Sequence, residues 1–163
     1  MKLLKKTITA IGFFALKQAM VSVCHFNKQA KEELKYFKEG YSIQLKVLPD
    51  GPKIAFEKYG DAFRTTSTNK ENYDLVVIFK TEDIAFRIMT TLSSVPKAFT
   101  QNRLMVYGNV ADSMVLIRVM NIVQSYLFPP ILSKRVLKRV PKFNFGEHIG
   151  RLRVYTLGLL LRY

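Results

Sequence analysis

Cysteine occurs once in this sequence, at Cys24, and histidine only twice, at His25 and His148. A lone thiol excludes a disulfide scaffold, and no Cys/His pair has the spacing of zinc ligands, so no metal site of that kind is expected. Gly-x-Ser-x-Gly, a P-loop and a dinucleotide-binding glycine fingerprint are all missing. Cys24 and His25 are sequence neighbours, a placement from which a nucleophile and its base seldom meet. His148 follows Glu147 in a stretch that reads as a solvated loop. With no catalytic constellation and no cofactor motif, the chain is expected not to be an enzyme. Internal repeats are absent as well.

Acidic residues are scarce: 12 Asp and Glu stand against 26 Lys and Arg, a formal net charge of +14 over 163 residues. The excess sits at the ends. Residues 1–40 carry eight basic and three acidic groups, residues 41–128 ten and eight, and residues 129–163 eight and one. Cationic ends attract a polyanion, either nucleic acid or an anionic membrane surface. The apolar share of 48% and charged share of 23% exclude a collagen-like or wholly disordered chain and fit one globular domain with a core. The reducing cytoplasm is the expected compartment, with peripheral membrane association allowed by the charge.

Lys2, Lys5 and Lys6 precede the apolar stretch Thr7–Leu16, as in a secretory signal. Lys17 interrupts the run, no small-x-small cleavage site follows, and Val23 before Cys24 does not suit a lipoprotein cleavage box. Residues 1–26 are expected to persist as a basic amphipathic helix with Leu4, Ile8, Ile11 and Ala15 on one stripe. That stripe would lie on a bilayer or cap the domain's own core. A second helix is expected over Asn27–Lys38, stopped by Gly40.

From Tyr41 the period changes to two. Ile43, Leu45 and Val47 alternate with polar residues, Pro49-Asp50-Gly51 makes a turn, a strand resumes through Ile54, Phe56 and Lys58, and Ala62–Thr68 reads as a third. The continuous apolar run at 73–80 is a strand covered on at least one face. Thr81 caps a helix with Glu82 and Asp83 in its first turn, where carboxylates complement the helix dipole; that pair is structural and not an acid–base dyad. Ile84, Ile88 and Leu92 should point inward, with Phe86 and Met89 flanking, before the helix ends near Ser93-Ser94. A strand over Arg103–Tyr107 closes at Gly108, and Asn109 caps a long helix from Val110 to Phe128 that Pro129-Pro130 stops. Asp112, Arg118, Asn121 and Gln124 make this helix too polar to span a bilayer.

Helix, three strands, a buried strand, helix, strand and long helix is a specific order. With YDLVVIFKTEDIAFRIM at 73–89 and AFTQNRLMVYGNVADSMVLIRVM at 98–120, the segment resembles the sterol carrier protein type 2 lipid-binding domain. The resemblance covers about 100 residues. It implies an α+β fold: a five-stranded, mainly antiparallel sheet covered on one face by helices, with an apolar tunnel between the layers. The expected division is 1–26, 27–130 for the domain, and a basic and apolar extension over 131–163. The Trp and the glycine-rich early strands of animal members are missing, and Leu161-Arg162-Tyr163 is not a peroxisomal address. These departures weaken the transfer of sterol specificity and of that location.

A lipid carrier needs a continuously apolar slot, because moving a sixteen-methylene chain out of water is worth up to about 13 kcal/mol at roughly 0.8 kcal/mol per CH2. Candidate lining residues are Phe56, Phe79, Phe86, Ile88, Met89, Leu92, Phe99, Leu104, Val106, Met114, Ile117 and Met120. Each could equally be plain core. The expected role is non-catalytic binding and transfer or presentation of a fatty acyl, sterol-like or isoprenoid chain. Docking to anionic membranes would fall to Lys2, Lys5, Lys6, Lys134, Arg135, Lys138, Arg139 and Lys142. An alternative is an accessory lipid-binding factor in isoprenoid-quinone biosynthesis. Nucleic acid is disfavoured as a partner, since the tail alternates Lys/Arg with Val and Leu instead of stacking aromatics.

Overall fold

The computed structural model of the chain describes residues 2–127; the side chain of Lys2 and residues 128–163 fall outside it. The expectations placed on Lys2, on Lys134, Arg135, Lys138, Arg139 and Lys142, and on His148 therefore lie outside the described residues. In chain order the elements are α1 (Lys2–Phe26), α2 (Lys28–Leu34), β1 (Ser42–Val47), β2 (Lys53–Tyr59), β3 (Ala62–Thr65), β4 (Leu75–Phe79), α3 (Glu82–Met89), α4 (Val95–Thr100), β5 (Leu104–Tyr107) and α5 (Val110–Leu127).

The five strands form one sheet in the order β3-β2-β1-β4-β5. Three of its four pairings are antiparallel, as expected; the remaining one, β1 with β4, is parallel, so the sheet is mixed. Register puts Leu45 beside Ile54 and Val77, and Val77 beside Val106. Alternate residues therefore make continuous apolar rows on the face toward the helices. On the other face the Gln44 side chain donates to the Thr68 carbonyl at 2.9 Å, which ties down the crossover between β3 and β4.

A polar clasp fixes where the parallel pair starts. The backbone N–H and the hydroxyl of Ser42 both donate to Asp74 Oδ2 at 2.8 Å. Burial alone would raise the Asp74 carboxyl, but these bonds outweigh it and hold the group below the ordinary carboxylate range. Gly108, which ends β5, has φ +122, and a Cβ there would stand 2.5 Å from the Asp74 carbonyl oxygen. Only glycine allows β5 to leave the sheet so close to β4.

The helix α1 belongs to the same core as the sheet and packs on α3, α5, β2 and β3. Its buried residues are Thr9, Phe13, Leu16, Ala19, Met20, Val23 and Cys24 along one face, with Gln18 buried outside that face. Of the two places open to the Leu4, Ile8, Ile11 and Ala15 stripe, a bilayer or the domain's own core, the core does not take its outer members: Leu4 is 65% and Ile11 63% exposed. The helix is apolar nearly all round from Gly12 onward, so periodicity alone could not choose its inner face. Close approach chose it, because a Cβ on Gly12 would lie 2.7 Å from Met89 Cβ on α3. By length and composition α1 is apolar enough to cross a membrane, yet 44% of that window is buried against this domain.

Other boundaries moved for local reasons. The second helix ends at Leu34 rather than Lys38, with Asn27 accepting from the Ala30 N–H at 2.8 Å as its cap. The third strand stops at Thr65 instead of Thr68. Thr81 caps α3 as expected, accepting from the Ile84 N–H at 3.3 Å. That helix ends at Met89, and Thr91, at φ 61, turns the chain so that Leu92 is 59% exposed instead of inward. The short helix α4 was not expected. A proline just past the expected end of α3 at Ser93-Ser94 suits a chain that has left a helix, but Pro96 lies in the first turn of α4, where its missing N–H costs nothing, and Ser94 caps the helix by accepting from the Lys97 N–H at 3.3 Å.

Candidate functional site

Between β4 and β5 on one side and α4 and α5 on the other lies an enclosed apolar seam. It is lined by Val77, Phe79, Val95, Phe99, Leu104, Val106, Ser113, Leu116, Ile117 and Met120. Alternation in the strands supplies Val77 with Phe79 and Leu104 with Val106; three- and four-residue spacing on α5 supplies Ser113, Leu116, Ile117 and Met120. Ser113 is the one polar residue, and its hydroxyl is occupied, donating to the Val110 carbonyl at 2.6 Å.

The seam is not an open tunnel. Its cavity volume is only about 10 Å3. That is room for about one water, whereas ligand pockets run to about 300–1,000 Å3. The tunnel implied by the resemblance is thus closed in this conformation. From outside the resembling segment, Phe13 of α1 backs Phe79 edge-to-face with ring centroids 5.3 Å apart.

Outside the seam, along β5 at the end of the sheet, runs a groove that among the described residues is open, about 560 Å3 in volume and lined by Phe99, Asn102, Leu104, Met105, Val106 and Tyr107. Phe99, Leu104 and Val106 border both spaces. Helix α4, which carries Phe99, is bracketed by Thr91 at φ 61 and Asn102 at φ 54. Asn tolerates the left-handed region; a β-branched Thr there is strained.

Six of the twelve candidate lining residues meet in the seam: Phe79, Phe99, Leu104, Val106, Ile117 and Met120. The others do not. Phe56 packs on Phe63 at 5.8 Å in the far half of the core. Ile88 and Met89 are buried under α1, and Phe86 lies beneath Lys5 Nζ at 5.6 Å. Leu92 is outside, and Met114 is 40% exposed on the outer side of α5. Val77, Val95, Ser113 and Leu116 were missed. The two-residue step from Phe79 and the four-residue step from Met120 pointed to Val77 and Leu116, whereas Val95 depends on the unforeseen α4.

Three titratable groups, Cys24, Asp83 and Tyr41, are engaged structurally. Burial pushes the Cys24 thiol up to about 12, so it is not a nucleophile near neutrality. Asp83 accepts from Lys5 at 2.9 Å and Arg87 at 2.8 Å, and both bonds hold its carboxyl below the ordinary range. Burial raises the Tyr41 phenol, and Asp112, which accepts its hydroxyl at 2.6 Å, raises it further. Among the described residues no three or more His, Cys, Asp or Glu side chains gather as metal ligands would. Lys5 is spent on Asp83 and Phe86, while Lys6 is exposed.

The architecture defines a class, a mixed five-stranded sheet with helices over one face and an apolar seam between the layers. Solved structures similar to the chain carry sterol carrier names. "UbiJ-SCP2 Ubiquinone synthesis protein" has a TM-score of 0.47 at 12% identity, over 72% of this chain and 97% of that one. "Sterol Carrier Protein 2 from Yarrowia Lipolytica (apo form)" gives 0.45 at 14%, over 69% and 89%. A sterol carrier protein 2 like 2 from Aedes aegypti gives 0.37 at 14%, over 60% and 95%. No family model and no curated protein matches the sequence.

Proposed function

We propose that this chain is a non-catalytic lipid-binding module whose seam between β4–β5 and α4–α5 opens to take one hydrocarbon chain. The observation that carries this is the sharing of Phe99, Leu104 and Val106 between the closed seam and the open groove. Rotation of Phe99 on its short helix would join the two spaces, and Ser113, the one polar residue among the described lining of the seam, has its hydroxyl paired and does not oppose a dry guest. Met120 and Phe99 suit chains of varied shape, since thioether and ring surfaces adapt to irregular contacts.

Docking at an anionic bilayer would use the outer side of α1. Leu3, Leu4, Ile11 and Phe14 are exposed, and at 3.6 residues per turn they share roughly 100° of arc, opposite the buried face. Lys6 and Lys17 border that arc, with Lys17 Nζ 5.5 Å over the Phe14 ring. Each Lys or Arg near such a surface adds about 1 kcal/mol, screened by salt. Attachment would therefore be reversible, as lipid exchange requires.

The test is mass spectrometry of solvent extracts from freshly purified protein, together with uptake of a fluorescent fatty acid by the delipidated chain. A co-purifying single-chain lipid and saturable uptake are expected. A bare protein that takes up nothing overturns the proposal. Mixed fatty acids in the extract fit a general carrier, and isoprenoid-quinone intermediates fit the biosynthetic accessory role.

A further inference from the structure

Gln124 is 1% exposed, and neither its side-chain oxygen nor its side-chain nitrogen has a hydrogen-bond partner. Three residues earlier on α5, the Asn121 side-chain oxygen is likewise buried and unpartnered. Buried amides left open on both sides are uncommon, because the lost hydrogen bonds to water are not replaced. Their position gives them a use. At 100° per residue, Ser113, Leu116, Ile117 and Met120, the seam-lining residues of α5, span about 100° of the helix, and Gln124 falls inside the same arc one turn beyond Met120.

We propose that Gln124, with Asn121 beside it, is the polar terminus of the lipid site, an inference that rests on the lipid-binding reading above. A chain lying along α5 from the groove past Ile117 and Met120 brings its head group to Gln124 after about 16 Å of helix. The amide there offers a donor and an acceptor, so it recognises a neutral head that supplies both: a carboxamide, a protonated carboxylic acid or a hydroxylated carbonyl. A phosphate or carboxylate is not matched, since the two charged residues of α5 are already engaged, Asp112 by Tyr41 at 2.6 Å and Arg118 by Glu33 at 2.8 Å.

The experiment is displacement of a fluorescent fatty acid from the delipidated full chain by palmitamide, methyl palmitate and, at about pH 8 where it is ionised, palmitate. Wild type should bind palmitamide about ten-fold tighter than either competitor, the size of one net hydrogen bond. In Gln124→Leu the preference should vanish through loss of palmitamide affinity, with methyl palmitate unchanged. That variant should fold, because it removes an unpaired buried amide. Asn121→Leu serves as a second variant and should weaken the same preference. Equal binding of all three by wild type, or a preference that survives Gln124→Leu, overturns this assignment alone. Failure of wild type to bind the fluorescent acid or any competitor overturns the lipid-binding reading and this assignment together.

Discussion

Replacing Phe99 with alanine probes the wall between seam and groove directly. The ring is partly buried against the core and borders both spaces. A fully buried Phe→Ala change costs about 3–5 kcal/mol, and a half-buried ring that leaves a solvent-open notch should cost about 1–2 kcal/mol. Urea denaturation should register that loss as a lower midpoint with an unchanged slope. Stopped-flow uptake of a fluorescent fatty acid should at the same time accelerate about ten-fold, as though a barrier of about 1.4 kcal/mol had been removed. Leu92→Ala, at a side chain that is 59% exposed beyond α3, is the control and should shift stability by less than about 0.5 kcal/mol and uptake not at all. A Phe99→Ala protein with wild-type uptake kinetics, or an equal acceleration in Leu92→Ala, would refute the gate.

Phe13→Ala should destabilise the fold by about 3–5 kcal/mol in the same denaturation assay, since the ring is 1% exposed and packs edge-to-face on Phe79. Gly12→Ala should cost about 1–3 kcal/mol by calorimetry, because its new methyl meets Met89 Cβ at 2.7 Å and drives α1 off α3. The Asp83 carboxyl is held low in the folded state by Lys5 and Arg87, so its stabilisation is present above its unfolded pKa of about 4 and disappears as pH falls through the lower folded value. Asp83→Asn should therefore lose up to about 1 kcal/mol at neutral pH, a modest amount for half-exposed pairs, and match wild type in acid. Changing Leu4 and Ile11 together to Asp should abolish sedimentation with anionic vesicles without moving the unfolding midpoint, because both side chains are already exposed.

Local chemistry made much of the sheet and its caps legible. Alternation at Ile43, Leu45 and Val47 identified β1, and Thr81 announced α3 by the same hydroxyl that accepts from Ile84. Asn109 marked the start of α5, accepting from the Ala111 N–H at 2.8 Å. Six of the ten seam residues followed from those elements, but the choice of Leu104 and Val106 over Met105 and Tyr107 as the inward side of β5 is made by its register with Phe79 and Val77. What stayed hidden depends on tertiary contact. The inner face of α1 is decided by Gly12 against Met89, and a helix apolar on nearly all sides carries no periodic mark of that choice. Pro96 carries two meanings, stop or first turn, and Ser94 selects the second only once α4 packs on α5. The parallel pairing of β1 with β4 is a long-range event for which neither strand has a local signal. Closure of the seam, too, depends on side chains from distant parts of the chain arriving at one place.

The most direct measurement is methyl-resolved NMR of the delipidated chain, labelled at Ile, Leu, Val and Met, during titration with palmitamide. Binding in the seam predicts shifts and intermolecular contacts concentrated at Val77, Val95, Leu104, Val106, Leu116, Ile117 and Met120, with Phe56's half of the core silent. Saturable binding whose contacts fall on the outer face of α1 alone, or no binding at all, would contradict it.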